Sequence, residues 1–85
     1  MQIREYLNMI RWDSKIKEEE FEVSFLHRDE GSEKKTISFH QITTISSSWF
    51  HYMNQYNIET LIPFHRILEI RNTRTKEIVW KRKNH

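Results

Sequence analysis

The sequence predicts an α+β fold. A short N-terminal helix packs on a twisted antiparallel sheet, or small partly closed barrel, of about five to seven strands with a duplicated hairpin unit. Three patterns predict it. Apolar residues recur with helical spacing at Ile3, Tyr6, Leu7 and Ile10. Phe21, Val23 and Phe25 alternate with polar neighbours at the period of a strand. The pattern of Thr36 to Ile45 then reappears from Leu61 to Ile70.

Taken in order, residues 2 to 12 form the helix, with Arg4, Glu5, Asn8 and Arg11 on its polar side. Trp12-Asp13-Ser14 ends it, with Asp13 bracing the helix end, and a polar loop runs from 13 to 18. The Phe21-Val23-Phe25 strand extends toward His27, its apolar face inward. Asp29-Glu30-Gly31-Ser32 is a turn containing the single glycine. A strand follows at 34 to 39. In the repeat, Ile37, Phe39, His40, Ile42 and Ile45 match Ile62, Phe64, His65, Ile67 and Ile70 at a constant offset of 25. Each copy reads as a strand end, a tight turn of 3₁₀ type at Phe-His, and a new strand near the second Ile. An aromatic-rich strand follows each copy, at Trp49 to Tyr52 and at Glu77 to Trp80, and 54 to 57 and 72 to 75 are turns. The pattern does not decide between an open sheet and a closed barrel.

Eighty-five residues make one domain, 1–85. Five Phe, three Trp and three Tyr separate it from a disordered chain, although 31% of its residues are charged. With no cysteine there is no disulfide framework, zinc ribbon or thiol nucleophile. The cysteine count, the absence of an apolar signal core and the lack of any run of about 18 apolar residues predict a soluble, cytoplasmic protein. A net charge of +2 excludes a strongly basic nucleic-acid coat and leaves room for a local basic site. Arg71, Arg74, Lys76, Lys81, Arg82 and Lys83 give the C-terminal end its positive bias.

The candidate chemistry lies in two dipeptides, His27-Arg28 and His65-Arg66. A guanidinium offers a planar fork of donors that fits phosphate oxygens in pairs, and an imidazole adds a donor or a charge. The repeat sharpens this reading, because Gln41 stands where Arg66 stands and only one copy keeps the cation. His27 also shares parity with the apolar face, which makes it a candidate core histidine. Trp49 and Tyr52 are candidates for base stacking, whereas Trp12 and Trp80 are read as core. The five histidines have no metal-ligand spacing, no serine sits in a nucleophile elbow, and there is no glycine-rich phosphate loop. No cofactor or metal is expected.

These residues resemble the RNA cyclic-group end recognition domain, a short, mainly archaeal family. The similarity runs from Ile3-Arg4-Glu5-Tyr6-Leu7-Asn8 with Trp12-Asp13, through Phe25-Leu26-His27-Arg28, to the 62–71 segment and Glu77-Ile78-Val79-Trp80. Ile62-Pro63-Phe64-His65-Arg66-Ile67 is its most specific part. The resemblance implies an RNA-binding module for phosphate-bearing RNA termini, notably 2′,3′-cyclic phosphates, in RNA processing or repair. Its phosphate-binding positions fall on His27, Arg28, His65, Arg66 and Arg71, and RNA-processing enzymes are implied as partners. Asp29 and Glu30, ahead of Gly31, depart from the family pattern by placing carboxylates beside an anion site. Two other readings stand alongside. One is a metal-independent phosphodiesterase or cyclic-phosphate hydrolase working through His27 and His65. The other is a protein-interaction adaptor in an RNA-processing complex.

Overall fold

The computed structural model describes residues 2–27 and 33–83. Helix α1 spans Ile3–Trp12. The Gln2 amide donates to the Glu5 carboxylate at 3.0 Å, satisfying a backbone donor ahead of the first turn. Leu7 and Ile10 are buried, with Ile3 and Tyr6 packed beside them, so the predicted apolar stripe is the face that enters the core. Asp13 ends the helix, its amide bonded to the Met9 carbonyl and its carboxylate accepting from the Lys15 amide. The loop that follows ends in a 3₁₀ turn at Glu18–Glu20.

Seven strands follow: β1 Phe21–Leu26, β2 Lys34–Ser38, β3 Ile42–Ile45, β4 Trp49–Met53, β5 Glu59–Pro63, β6 Ile67–Asn72 and β7 Ile78–Lys81. They form two antiparallel sheets, ordered β2-β1-β6-β7 and β3-β4-β5. The described strands therefore do not close into a barrel. Each repeat copy is a corner where the chain leaves one sheet for the other. The first runs β2, a 3₁₀ turn at Phe39–Gln41, then β3; the second runs β5, a 3₁₀ turn at Phe64–Arg66, then β6. Buried Ile37 and Ile62 precede the turns, and buried Ile42 and Ile67 follow them. The repeat is thus the device that folds one sheet over the other.

The core lies between the sheets and under α1. Phe25 is its centre, with ring centroids 5.9 Å from Phe50 and 5.6 Å from Tyr52 across the sheet interface. Arg11 ties the helix down: Nε donates to Glu18 at 3.0 Å and Nη2 to the Ile42 carbonyl at 2.6 Å. Trp80 packs against the core as expected. Trp12 does not: it is 79% exposed, because the helix ends there and its buried stripe passes through Ile10 instead.

Candidate functional site

The two corners share a backbone plan and differ in what their polar side chains do. In the first, Gln41 is engaged in holding the turn: Oε1 accepts from the Ser38 amide at 3.0 Å and Nε2 donates to the Met53 carbonyl at 3.1 Å. Exposed His40 places Nδ1 3.6 Å from the Glu18 carboxylate, and the Arg11 guanidinium lies 5.4 Å over the Phe39 ring. In the second corner Pro63 replaces Ser38, setting φ at −65° ahead of the turn. Arg66 replaces Gln41 and reaches toward β1, where Nη1 donates to the His27 carbonyl at 3.4 Å.

That contact joins residues 39 apart in sequence. It follows from register: Phe25 pairs with Ile67, so the chain just after β1 and the turn just before β6 lie side by side. His27 is half-buried at the strand end, its amide donating to the Glu33 carbonyl at 2.9 Å. Its Nδ1 is buried and has no hydrogen-bond partner among the described residues. A buried polar atom without a partner is costly, and such atoms concentrate where a ligand supplies the missing bond. His65 is exposed on the same turn as Arg66.

Trp49 belongs to this corner. It pairs with Pro63, and the Phe64 amide donates to the Ser48 carbonyl at 2.9 Å, fixing β4 against the turn. Strand β4 buries Phe50 and Tyr52, while Trp49, His51 and Met53 take its other face. The Trp49 and His51 rings lie 4.6 Å apart and form a half-exposed aromatic surface. Sequence reasoning overlooked His51, although its period-two spacing from Trp49 was the available signal.

Two expected site residues are not brought to this corner. Arg71 lies across β6 from Glu22, toward the far end of the β1–β6 ladder, about 13–16 Å along the strand from Arg66. Two of its guanidinium donors converge on one Glu22 carboxylate oxygen, Nε at 2.9 Å and Nη2 closer still. The hydrogen bond to Glu22, and then the charge of Glu22, raise the Arg71 pKa above its ordinary value. Tyr52 is 1% exposed, its ring covered by Phe25, so it offers no face to a base. The alternation of β4 gave Tyr52 to the core. Arg28 and the turn with Asp29, Glu30 and Gly31 lie outside the described residues.

Among the described residues no three histidine or carboxylate side chains gather as a metal site, and no helix is long and apolar enough to cross a membrane. The corner therefore offers guanidinium, imidazole and indole chemistry: recognition of an anion beside an aromatic ring.

The family described as the MJ1316 RNA cyclic group end recognition domain matches residues 1–82. The UPF0248 protein MJ1316 of Methanocaldococcus jannaschii is 42% identical over 81 residues, covering 95% of this chain and 94% of that protein. A UPF0248 protein of Methanococcus vannielii is 39% identical over 80 residues, covering 94% of this chain and 90% of its own length. One from Saccharolobus islandicus is 29% identical over 82 residues, covering 96% of this chain and all of its own. No solved structure matches the chain. With a family match across nearly its whole length, the chain belongs to the MJ1316 RNA cyclic group end recognition domain family.

Proposed function

We propose that this protein is an RNA-binding module that recognises phosphate-bearing RNA termini, with the 2′,3′-cyclic phosphate as its preferred end, in RNA processing or repair. The observation that carries the reading is the meeting of His27 and Arg66 at one corner, with a buried imidazole nitrogen that has no partner among the described residues. In this reading Arg66 holds the phosphate oxygens as a fork. The orphaned His27 nitrogen bonds the terminal group, and exposed His65 adds a donor. Arg28, adjacent to His27 in sequence, joins them. Trp49 stacks the terminal base, with His51 alongside. RNA-processing enzymes are the partners this role implies, and the cytoplasm is its compartment.

The test compares oligoribonucleotides of one sequence ending in a 2′,3′-cyclic phosphate, a 3′-phosphate or a 3′-hydroxyl, by fluorescence anisotropy with EDTA present. The cyclic end should bind tightest and be recovered intact. Arg66→Gln should weaken it about tenfold to a hundredfold, the loss of a charge-assisted contact. Arg66→Lys should restore only part, since an ammonium cannot make the paired contact. Equal affinity for all three ends would overturn the reading. Conversion of the cyclic end at catalytic protein concentration would replace it with the hydrolase.

A further inference from the structure

A second recess lies on the open side of the molecule, where β2 of one sheet faces the β4–β5 turn of the other. Its volume is about 390 Å³, within the range of small-ligand sites and ample for a nucleobase. Lys35 and Tyr52 form its floor, the Lys35 ammonium lying 5.6 Å over the Tyr52 ring. Gln41 walls one side, while Asn54, Gln55 and Tyr56 form the rim. The Asn54 side-chain Oδ1 accepts from the Tyr56 and Ile58 amides, holding the turn so that Tyr56 stands 72% exposed at the recess. The side-chain Nδ2 of Asn54 has no hydrogen bond among the described residues.

The composition is selective. One cation, three amides and two phenols line the recess, and no carboxylate does so among its described residues, in a chain with 12 acidic side chains. A cationic ligand finds no carboxylate to pair with among these residues. A planar ring with carbonyl and amino edges, carried on an anionic backbone, finds an aromatic face, amide donors and one ammonium. The position is equally specific. Lys35 and Ile67 are both paired with Phe25, on its two sides, so Lys35 lies about 10 Å across the sheet from the residue following Arg66.

We propose that this recess takes a base of the bound RNA strand inward of its terminal nucleotide, stacked on Tyr56 with its phosphate near Lys35. The proposal rests on the RNA-end reading above. The experiment uses the full chain and a cyclic-phosphate oligoribonucleotide carrying fluorescent 2-aminopurine at the penultimate position, beside one abasic there and one ending in a 3′-hydroxyl. Binding should quench the 2-aminopurine. Tyr56→Ala should abolish the quenching and weaken affinity about tenfold, whereas Tyr56→Phe keeps both. The abasic strand should lose the same factor, and Tyr56→Ala should cost it nothing more. Lys35→Gln should flatten the salt dependence. Tight binding that ignores both Tyr56→Ala and the abasic change would overturn the recess and leave the end reading standing. Binding that depends on Tyr56 but not on the terminal group would overturn the end reading and keep the recess. Absence of RNA binding removes both.

Discussion

Arg66 and Arg71 carry the same guanidinium five positions apart and sit at different places on the sheet. Arg71 is clamped to Glu22 on the outer face of its sheet, so its charge is already answered. Arg66 reaches from the second corner to the end of β1, where it donates to the His27 carbonyl. Arg71→Gln should therefore leave affinity for a cyclic-phosphate end within about twofold, a change worth under 1 kcal/mol. It should lower the melting temperature slightly, an effect that fades in high salt because exposed pairs are screened. The sign of its pH dependence follows from the raised pKa. The contribution is complete below the ordinary guanidinium pKa of the unfolded chain and is lost only as pH rises through the higher folded value. Neutral-range titration should not reveal this guanidinium; a binding loss in Arg71→Gln comparable to that of Arg66→Gln would return Arg71 to the phosphate site.

At the level of elements, the two hairpin turns solve one problem with different residues. In the β4–β5 turn Asn54 accepts from two downstream amides, and Asn57 takes the left-handed conformation at φ 61°. In the β6–β7 turn Asn72 accepts from the Arg74 and Thr75 amides, and Lys76 takes that conformation at φ 67°. Asparagine tolerates this region, whereas a lysine Cβ crowds the following carbonyl. Lys76→Gly should relieve the crowding and, after the added unfolded-state entropy of glycine, gain about 0.5 kcal/mol. For a domain of this size that is about 2–4 °C in melting temperature, readable by circular dichroism. A lower melting temperature would mean that the Lys76 side chain contributes more than its backbone costs.

Across the whole molecule, the sheets are held together by one core whose centre is Phe25. It belongs to β1, yet its ring meets Phe50 and Tyr52 of the other sheet. Phe25→Ala should cost about 3–5 kcal/mol, a large part of the stability available to so small a domain. Because no second core exists among the described residues, urea should unfold both sheets in one transition, with tryptophan fluorescence and far-ultraviolet dichroism sharing a midpoint. Separate midpoints would mean that each sheet is stable alone. The same core buries Tyr52, whose ring fills the space beside Phe25.

What the sequence determined alone was whatever local periodicity can encode. The stripe Ile3, Tyr6, Leu7 and Ile10 specifies a helix and its buried face. The alternation at Phe21, Val23 and Phe25 specifies a strand and its inner side. The duplicated Ile-Phe-His-Ile pattern specifies two 3₁₀ corners, because each copy buries an Ile on either side of a turn too tight for α-helix. The contrast between Gln41 and Arg66 was legible for the same reason. Tertiary structure decided everything that depends on which segments meet. Period two separates Trp49 and His51 from Phe50 and Tyr52, but it cannot say which pair faces the core; the position of the second sheet does. Arg71 looked like a site residue until strand register set it opposite Glu22. The approach of Arg66 to His27, the openness of the described sheets and the recess between Lys35 and Tyr56 arise from long-range pairing, which leaves no periodic trace in either partner.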